Sequence, residues 1–155
     1  MKGAQGIQAV KKYLEAYRMA DLDLDMQVER LNRLETKMYS AGSPVYTDMP
    51  KSPTHFPDKI DRLVAQKMEL VKQIEEAEAK QTESRKIIEQ MIAGISPTEK
   101  AVIRMRYIDG ERWETVAFQI YGDREDYNDR ADSYYRRTTR LHGSALINIA
   151  NSKDA

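Results

Sequence analysis

In the run SPTEKAVIRMRYIDGERWETVAFQIYG (Ser96–Gly122), two short helices and the turn between them are written in local signals. Ser96 is a capping residue, Pro97 suits the first helical position, and Glu99, three residues after the Ser, helps to satisfy the free backbone donors of the first turn. A helix therefore starts near Pro97, carries Ala101, Val102, Met105 and Ile108 inward, and stops at the turn pair Asp109-Gly110. Trp113, Val116, Ala117 and Ile120 mark a second short helix, ended by Gly122 just past its last turn. A third helix begins between Tyr127 and Ala131 and runs to about Ala150, with Tyr134, Thr138, Leu141, Ala145 and Ile149 at helical spacing. Two short helices around a Gly-containing turn, then a longer Arg-bearing helix, follow the helix-turn-helix plan, in which the last helix enters the major groove of DNA.

Upstream the texture differs. Val10, Tyr17, Leu24, Leu31 and Met38 recur every seven residues, with Ile7, Leu14 and Val28 on a second seam that breaks at Asp21 and Glu35. A second stretch from Pro57 to Ala93 places Leu63, Leu70, Ala77 and Met91 on one seam and Ile60, Ile74 and Ile88 on the other, interrupted by Lys67, Gln81 and Ser84. Both read as long amphipathic helices with coiled-coil spacing. At a rise of about 1.5 Å per residue each is roughly 45 Å long, and neither hides its apolar stripe alone. Between them Gly42, Pro44, Pro50, Pro53 and Pro57 predict a loop over about residues 40–57. A connection of that length is functional or disordered, and disorder is the expectation. With no alternating strand pattern, the fold class is all-α: a long antiparallel helical, coiled-coil pair over 1–94, then a three-helix helix-turn-helix unit over 95–155. The seams serve an intramolecular hairpin and an intermolecular coil equally well.

Composition narrows the function classes. The 155 residues hold 25 Lys and Arg against 25 Asp and Glu, no Cys and two His. Disulfides, thiolate nucleophiles, Cys-ligated zinc and a His-rich metal site are thereby excluded. No run approaches the roughly 18 apolar residues of a membrane span, and the first residues lack the apolar core of a signal peptide, so a soluble, cytoplasmic protein is expected. There is no phosphate-binding Gly-rich loop and no nucleophile motif, and carboxylate pairs such as Glu75-Glu76 lie on a charged helix face without a catalytic partner. Catalytic residues, cofactors and metal ligands are therefore expected to be none.

Charge is segregated along the chain. Between Ala101 and Ser152 every basic residue is Arg, whereas Lys predominates upstream. Arg offers a planar fork suited to phosphate oxygens and to the guanine edge; Lys is a point charge. In the third helix Ser133, Arg136, Arg137, Arg140 and Ser144 fall on one side, opposite the apolar stripe, and are the candidate DNA-binding residues. Arg130 to Ile149 carries four Arg against one Asp, a local charge of +3, while Asp123 to Asp129 carries four acids against one Arg, a local charge of −3. The acids suit the positive end of the third helix.

The segment Arg106-Tyr107-Ile108-Asp109-Gly110-Glu111-Arg112-Trp113-Glu114-Thr115-Val116-Ala117 resembles the RYxxGxxWxxIA pattern of the DNA-binding C-terminal region of sigma factors. It is closer still to small phage regulators of low-GC Gram-positive bacteria, the family of phage late-gene transcription activators and autolysin regulatory proteins. Arg140-Leu141-His142-Gly143-Ser144-Ala145-Leu146 is similar to that family's RLHGxAL ending. The resemblance covers about a third of the chain and implies a prophage or phage regulator in the bacterial cytoplasm. Such a regulator binds double-stranded DNA near promoters through a sigma-like helix-turn-helix, with host RNA polymerase as a further partner and a homodimer as the expected assembly. Two features depart from the family pattern: Gly122 to Asp132 is longer than its turn into the recognition helix, and Ser144, Ile147 and Asn148 stand where members often carry Lys or Arg.

Other residues have blander readings. Trp113 is expected in the core, since large aromatics mainly supply buried area. His142, beside the apolar stripe, is expected to be a hydrogen-bonded structural residue, and His55 a solvated one. Arg104 and Arg106 flank Met105 as weaker candidates for backbone phosphate. Gly143 inside a helix costs about 1 kcal/mol relative to Ala, which points to close approach of another helix or of DNA. The alternatives to a regulator are a non-catalytic coiled-coil interaction protein and a small terminase subunit-like DNA-packaging protein.

Overall fold

A computed structural model of the chain describes residues 2–41 and 56–152. Among them every regular element is helical: α1 (Lys2–Ala41), α2 (Phe56–Met91), α3 (Pro97–Ile103) continued by a π-helical turn (Arg104–Ile108), α4 (Trp113–Tyr121) and α5 (Ala131–Ser152). The all-α reading and the long N-terminal helix pair both hold. The centre of the expected Pro-rich loop, and His55 within it, lie outside the described residues. No helix among the described residues is long and apolar enough to cross a membrane.

The compact units do not follow a division at residue 94. One unit comprises Met1–Met19 together with Thr82–Ala155; the other is Ala20–Gln81. The reason lies in the core of the first unit. Val10, Leu14 and Tyr17 of α1, Ile88 and Ile92 at the end of α2, Ile95, Ile103 and Tyr107 around α3, and Ala145, Leu146, Ile149 and Ala150 of α5 form one buried cluster. Three helices as short as α3 to α5 bury too little of their own surface, so the ends of the long helices complete the core. A smaller buried group, Val102, Val116, Ala117, Tyr134 and Thr138, sits where α5 packs on α3 and α4. Tyr17 is tied to α2 by its hydroxyl, which accepts a hydrogen bond from Arg85 Nε at 3.1 Å.

The local signals of Ser96–Gly122 produce the expected elements with two changes. Ser96 caps α3, its Oγ accepting from the Glu99 N–H at 3.3 Å. Glu99 does not reach back to the backbone; its buried carboxylate accepts from the Ser96 hydroxyl at 3.0 Å and from Asn148 Nδ2 at 2.9 Å, which ties the start of α3 to α5. The second change is the π-helical turn. Met105 and Ile108 are half-buried as Ile103 and Tyr107 take the deepest positions, because a wider turn advances the inward stripe. The turn closes at Gly110, whose φ of +71° is the left-handed conformation that favours glycine. Gly122 ends α4 in right-handed backbone, and a Cβ there would run into the Phe118 carbonyl and ring.

In the second unit the antiparallel halves of α1 and α2 face each other through half-buried Leu24, Leu31, Leu34, Met38, Leu63 and Leu70, with Ile74 and Gln81 buried. Glu35 and Lys67, each an interruption of its own heptad seam, meet across the two helices at 3.4 Å. Each break therefore compensates the other within one chain. Two helices cannot enclose an apolar stripe fully, and Leu22, Met26, Val28, Val64 and Met68 remain exposed.

Leu14 has no exposed surface, and Leu14→Ala is expected to lower the unfolding free energy by about 2–5 kcal/mol, measured by urea denaturation. A fragment 95–155, deprived of the α1 and α2 contributions, is expected to show no cooperative thermal transition by circular dichroism. A sharp two-state melt of that fragment would refute the composite core.

Candidate nucleic-acid interface

α5 owes its two faces to period 3.6. Tyr134, Thr138, Ala145 and Ile149 are buried, and Ser133, Arg136, Arg137, Arg140 and Ser144 are all exposed on the other side. The Thr138 hydroxyl meets no apolar penalty, since it donates to the Tyr134 carbonyl at 2.9 Å. Among the described residues none of Arg136, Arg137 or Arg140 forms an ion pair. The five residues form two patches. Arg137, Arg140 and Ser144 border a shallow groove with Tyr121 of α4 and Leu141. Ser133 and Arg136 border a second depression at the start of α5, together with Asp129, Arg130 and Asp132. The first patch is free of acids, while in the second Arg136 shares its surface with two carboxylates.

The turn between α4 and α5 is as long as the sequence suggests, spanning residues 122–130. It is organised by rings. Phe118 meets Tyr127 edge-on with centroids 5.6 Å apart, Tyr127 stacks on Tyr134 at 5.6 Å, and Tyr121 lies 5.1 Å from Tyr134. The Tyr134 hydroxyl donates to Asp126 Oδ1 at 2.5 Å, and Asp126 also faces Arg130 at 3.7 Å. The Tyr134 hydrogen bond, with Arg130 and Arg124 nearby, holds the Asp126 carboxyl below the usual carboxylate range. Arg137 lies with its guanidinium carbon 5.2 Å from the Tyr134 ring centre, a cation–π contact that orients its donors. The aromatic cluster thus fixes the position of the Arg137 guanidinium.

The remaining candidates separate. Arg104 is committed to Glu89 through two bonds of 3.1 and 2.7 Å, a bidentate pair. That pair lowers the Glu89 pKa and raises that of Arg104. Asn148, one of the positions that depart from the family pattern, donates to Glu99. Trp113 is half-buried rather than central to the core, with the Arg106 guanidinium 4.7 Å above its ring and His142 edge-on at 4.8 Å. His142 is hydrogen-bonded as expected: its Nε2 and the Tyr107 hydroxyl are 2.6 Å apart. Sequence spacing gives no hint of that pair, nor of the Tyr121, Tyr127 and Tyr134 cluster, since each forms only once distant turns meet. At Gly143 a Cβ would meet nothing within 4 Å, so close approach of another helix does not explain that glycine.

No protein-family model, curated protein or solved structure matches the chain.

Two measurements follow from this geometry. Burial, then Lys11 and Arg106, push the His142 pKa from 6.5 down to about 4. Between those values the unfolded chain binds the proton and the folded one does not, so stability rises with pH across that window and is lost as pH falls from 6.5. Urea midpoints should accordingly drop between pH 6.5 and 4 in the parent and much less in His142→Gln; identical slopes would refute the assignment. Gly143→Ala should stabilise by about 0.5–1 kcal/mol, because the helical propensity gain meets no clash. Lower stability of that variant would contradict the open space at this position.

Proposed function

We propose that the chain is a non-catalytic, sigma-like helix-turn-helix regulator of phage type, which binds double-stranded DNA through α5 in the cytoplasm of a bacterial host. The observation that carries this reading is the acid-free patch of Arg137, Arg140 and Ser144 beside α4, with unpaired guanidiniums and Arg137 preset over Tyr134. Arg136 and Ser133 extend it as phosphate contacts at the start of the helix. A planar fork held in place is what bidentate recognition of guanine requires, and unpaired arginines release counterions when they meet phosphate.

A homodimer fits the same reading. One copy offers few phosphate contacts, and the balanced net charge gives no long-range attraction to compensate. The exposed Val64 and Met68, beside Met38 and Val71, provide an apolar strip on the second unit through which two copies, or the host polymerase, engage it. That same strip is the observation favouring the interaction-protein alternative, in which α5 is only a surface. In a small terminase subunit-like protein the assembly would be a ring.

Electrophoretic shifts at low salt, over a pool of duplex sequences, separate these readings. The Arg136, Arg137 and Arg140 triple Ala variant is expected to lose binding, and Arg137→Ala alone to weaken it by about 1–3 kcal/mol if it reads a base. Undiminished binding by the triple variant would overturn the assignment to α5. Light scattering of the parent should give a dimer; a large ring would favour the packaging reading. Val64→Glu with Met68→Glu should return the dimer to monomer.

A further inference from the structure

A second basic feature lies in the first unit, away from the exposed face of α5. The first half of α1, the π-helical turn, the start of α4 and the inner edge of α5 enclose a cleft of about 360 Å³, within the range of small-ligand pockets. Three cations line it, Lys11 and Arg18 from α1 and Arg106 from the π-helical turn, against one carboxylate, Glu15. None of the three cations forms an ion pair among the described residues. All three are half-buried, so their charges are screened less than those of an open surface.

The cluster is arranged, not merely crowded. Arg106 Nη1 donates to the Glu111 carbonyl at 3.0 Å while its guanidinium lies 4.7 Å from the Trp113 ring centre. Burial first, and then Arg18, lowers the Arg106 pKa, so the two guanidiniums repel each other across the cleft. Glu114 also acts on Arg106, and Glu15 on Tyr107, but neither bridges the pair. His142 completes the wall as a neutral ring, held to Tyr107. Glu15 lies between Lys11 and Arg18 along α1, but one carboxylate against three cations leaves the cleft net positive, and the repulsion between the two guanidiniums falls when an anion enters. The planar forks of two arginines and the ammonium of Lys11 match the oxygens of a phosphate group. The Trp113 ring carries the Arg106 guanidinium on one face and meets His142 edge-on, so its part in the cleft is to hold Arg106, and the groups that the cations match are phosphate oxygens.

We propose that Lys11, Arg18 and Arg106 form a phosphate-binding site, separate from the α5 interface, that takes either a phosphodiester of duplex backbone or a free phosphate group. Thr139 on its rim lies one turn from Arg136, so a duplex lying along α5 has its flanking backbone within reach of the cleft.

The test uses the full chain and the ring resonances of its two histidines, with His55→Gln assigning His142 by elimination. Inorganic phosphate, sodium chloride at matched ionic strength and a short duplex are titrated in turn at constant pH. A saturable shift of the His142 ring signals with phosphate, absent with chloride, supports the site with a free phosphate as its source. A shift seen with duplex and not with phosphate supports a backbone phosphodiester. In either case Lys11→Gln combined with Arg18→Gln should weaken the response at least tenfold while circular dichroism stays unchanged. The Arg136, Arg137 and Arg140 triple Ala variant should keep the response to phosphate, so loss of the α5 interface and loss of the cleft are read separately. No shift with any probe, an equal shift with chloride, or an unaltered response in the double Gln variant would overturn the proposal.

Discussion

Everything in the first unit depends on Val10, Leu14 and Tyr17 being buried against the end of α2 and the inner face of α5. Three helices of the size of α3, α4 and α5 expose too much surface for the volume they enclose. A single turn-by-turn stripe from α1 supplies the missing wall, and with it comes the placement of α5. The Arg face is thus held by apolar contacts on the far side of the helix that carries it. The buried and exposed sides of this unit are separable by residue: Leu14 and Ile149 belong to the core, Arg137 and Arg140 to the proposed interface.

Local determinants were the most legible part of the chain. Ser96, Pro97, Asp109-Gly110 and Gly122 place element boundaries within a residue or two, because caps and turns act through neighbours in sequence. The exposed arginines of α5 could be read for the same reason, since helical periodicity fixes which residues share a face. What spacing could not give is anything created by distant segments meeting. The boundary at residue 94 follows a change in composition, yet the units follow contacts that join the start of α1 to the end of the chain. Tyr107 with His142, Glu99 with Asn148 and the cleft of Lys11, Arg18 and Arg106 are of this kind.

Seam interruptions carry a related lesson. Glu35 and Lys67 each read as a fault in a heptad, and one helix at a time there is no way to tell a fault from a specification. Paired across the hairpin, they are one feature, and they favour the register in which both charges are satisfied. An apolar residue at either position would leave the other unpaired beside the seam. The long turn into α5 is similar: its acids look hostile to phosphate, but Asp126 is engaged by Tyr134 and Arg130, so the local charge of the turn overstates what the arginines meet.

The discontinuity of the first unit also has a consequence for the nascent chain. The turn at Gly6 lies against Ala150, so the earliest and latest parts of α1 and α5 meet only after nearly the whole chain has been made. At the usual pace of translation that interval is on the order of ten seconds. Until α5 is made, Val10, Leu14 and Tyr17 lack the part of their cover that Ala145, Leu146, Ile149 and Ala150 supply. The hairpin of α1 and α2 is complete much earlier and holds the stripe beside Ile88 and Ile92, a half-built surface onto which α3 to α5 then condense. The arginine-bearing helix is thus the last part of this core to be synthesised.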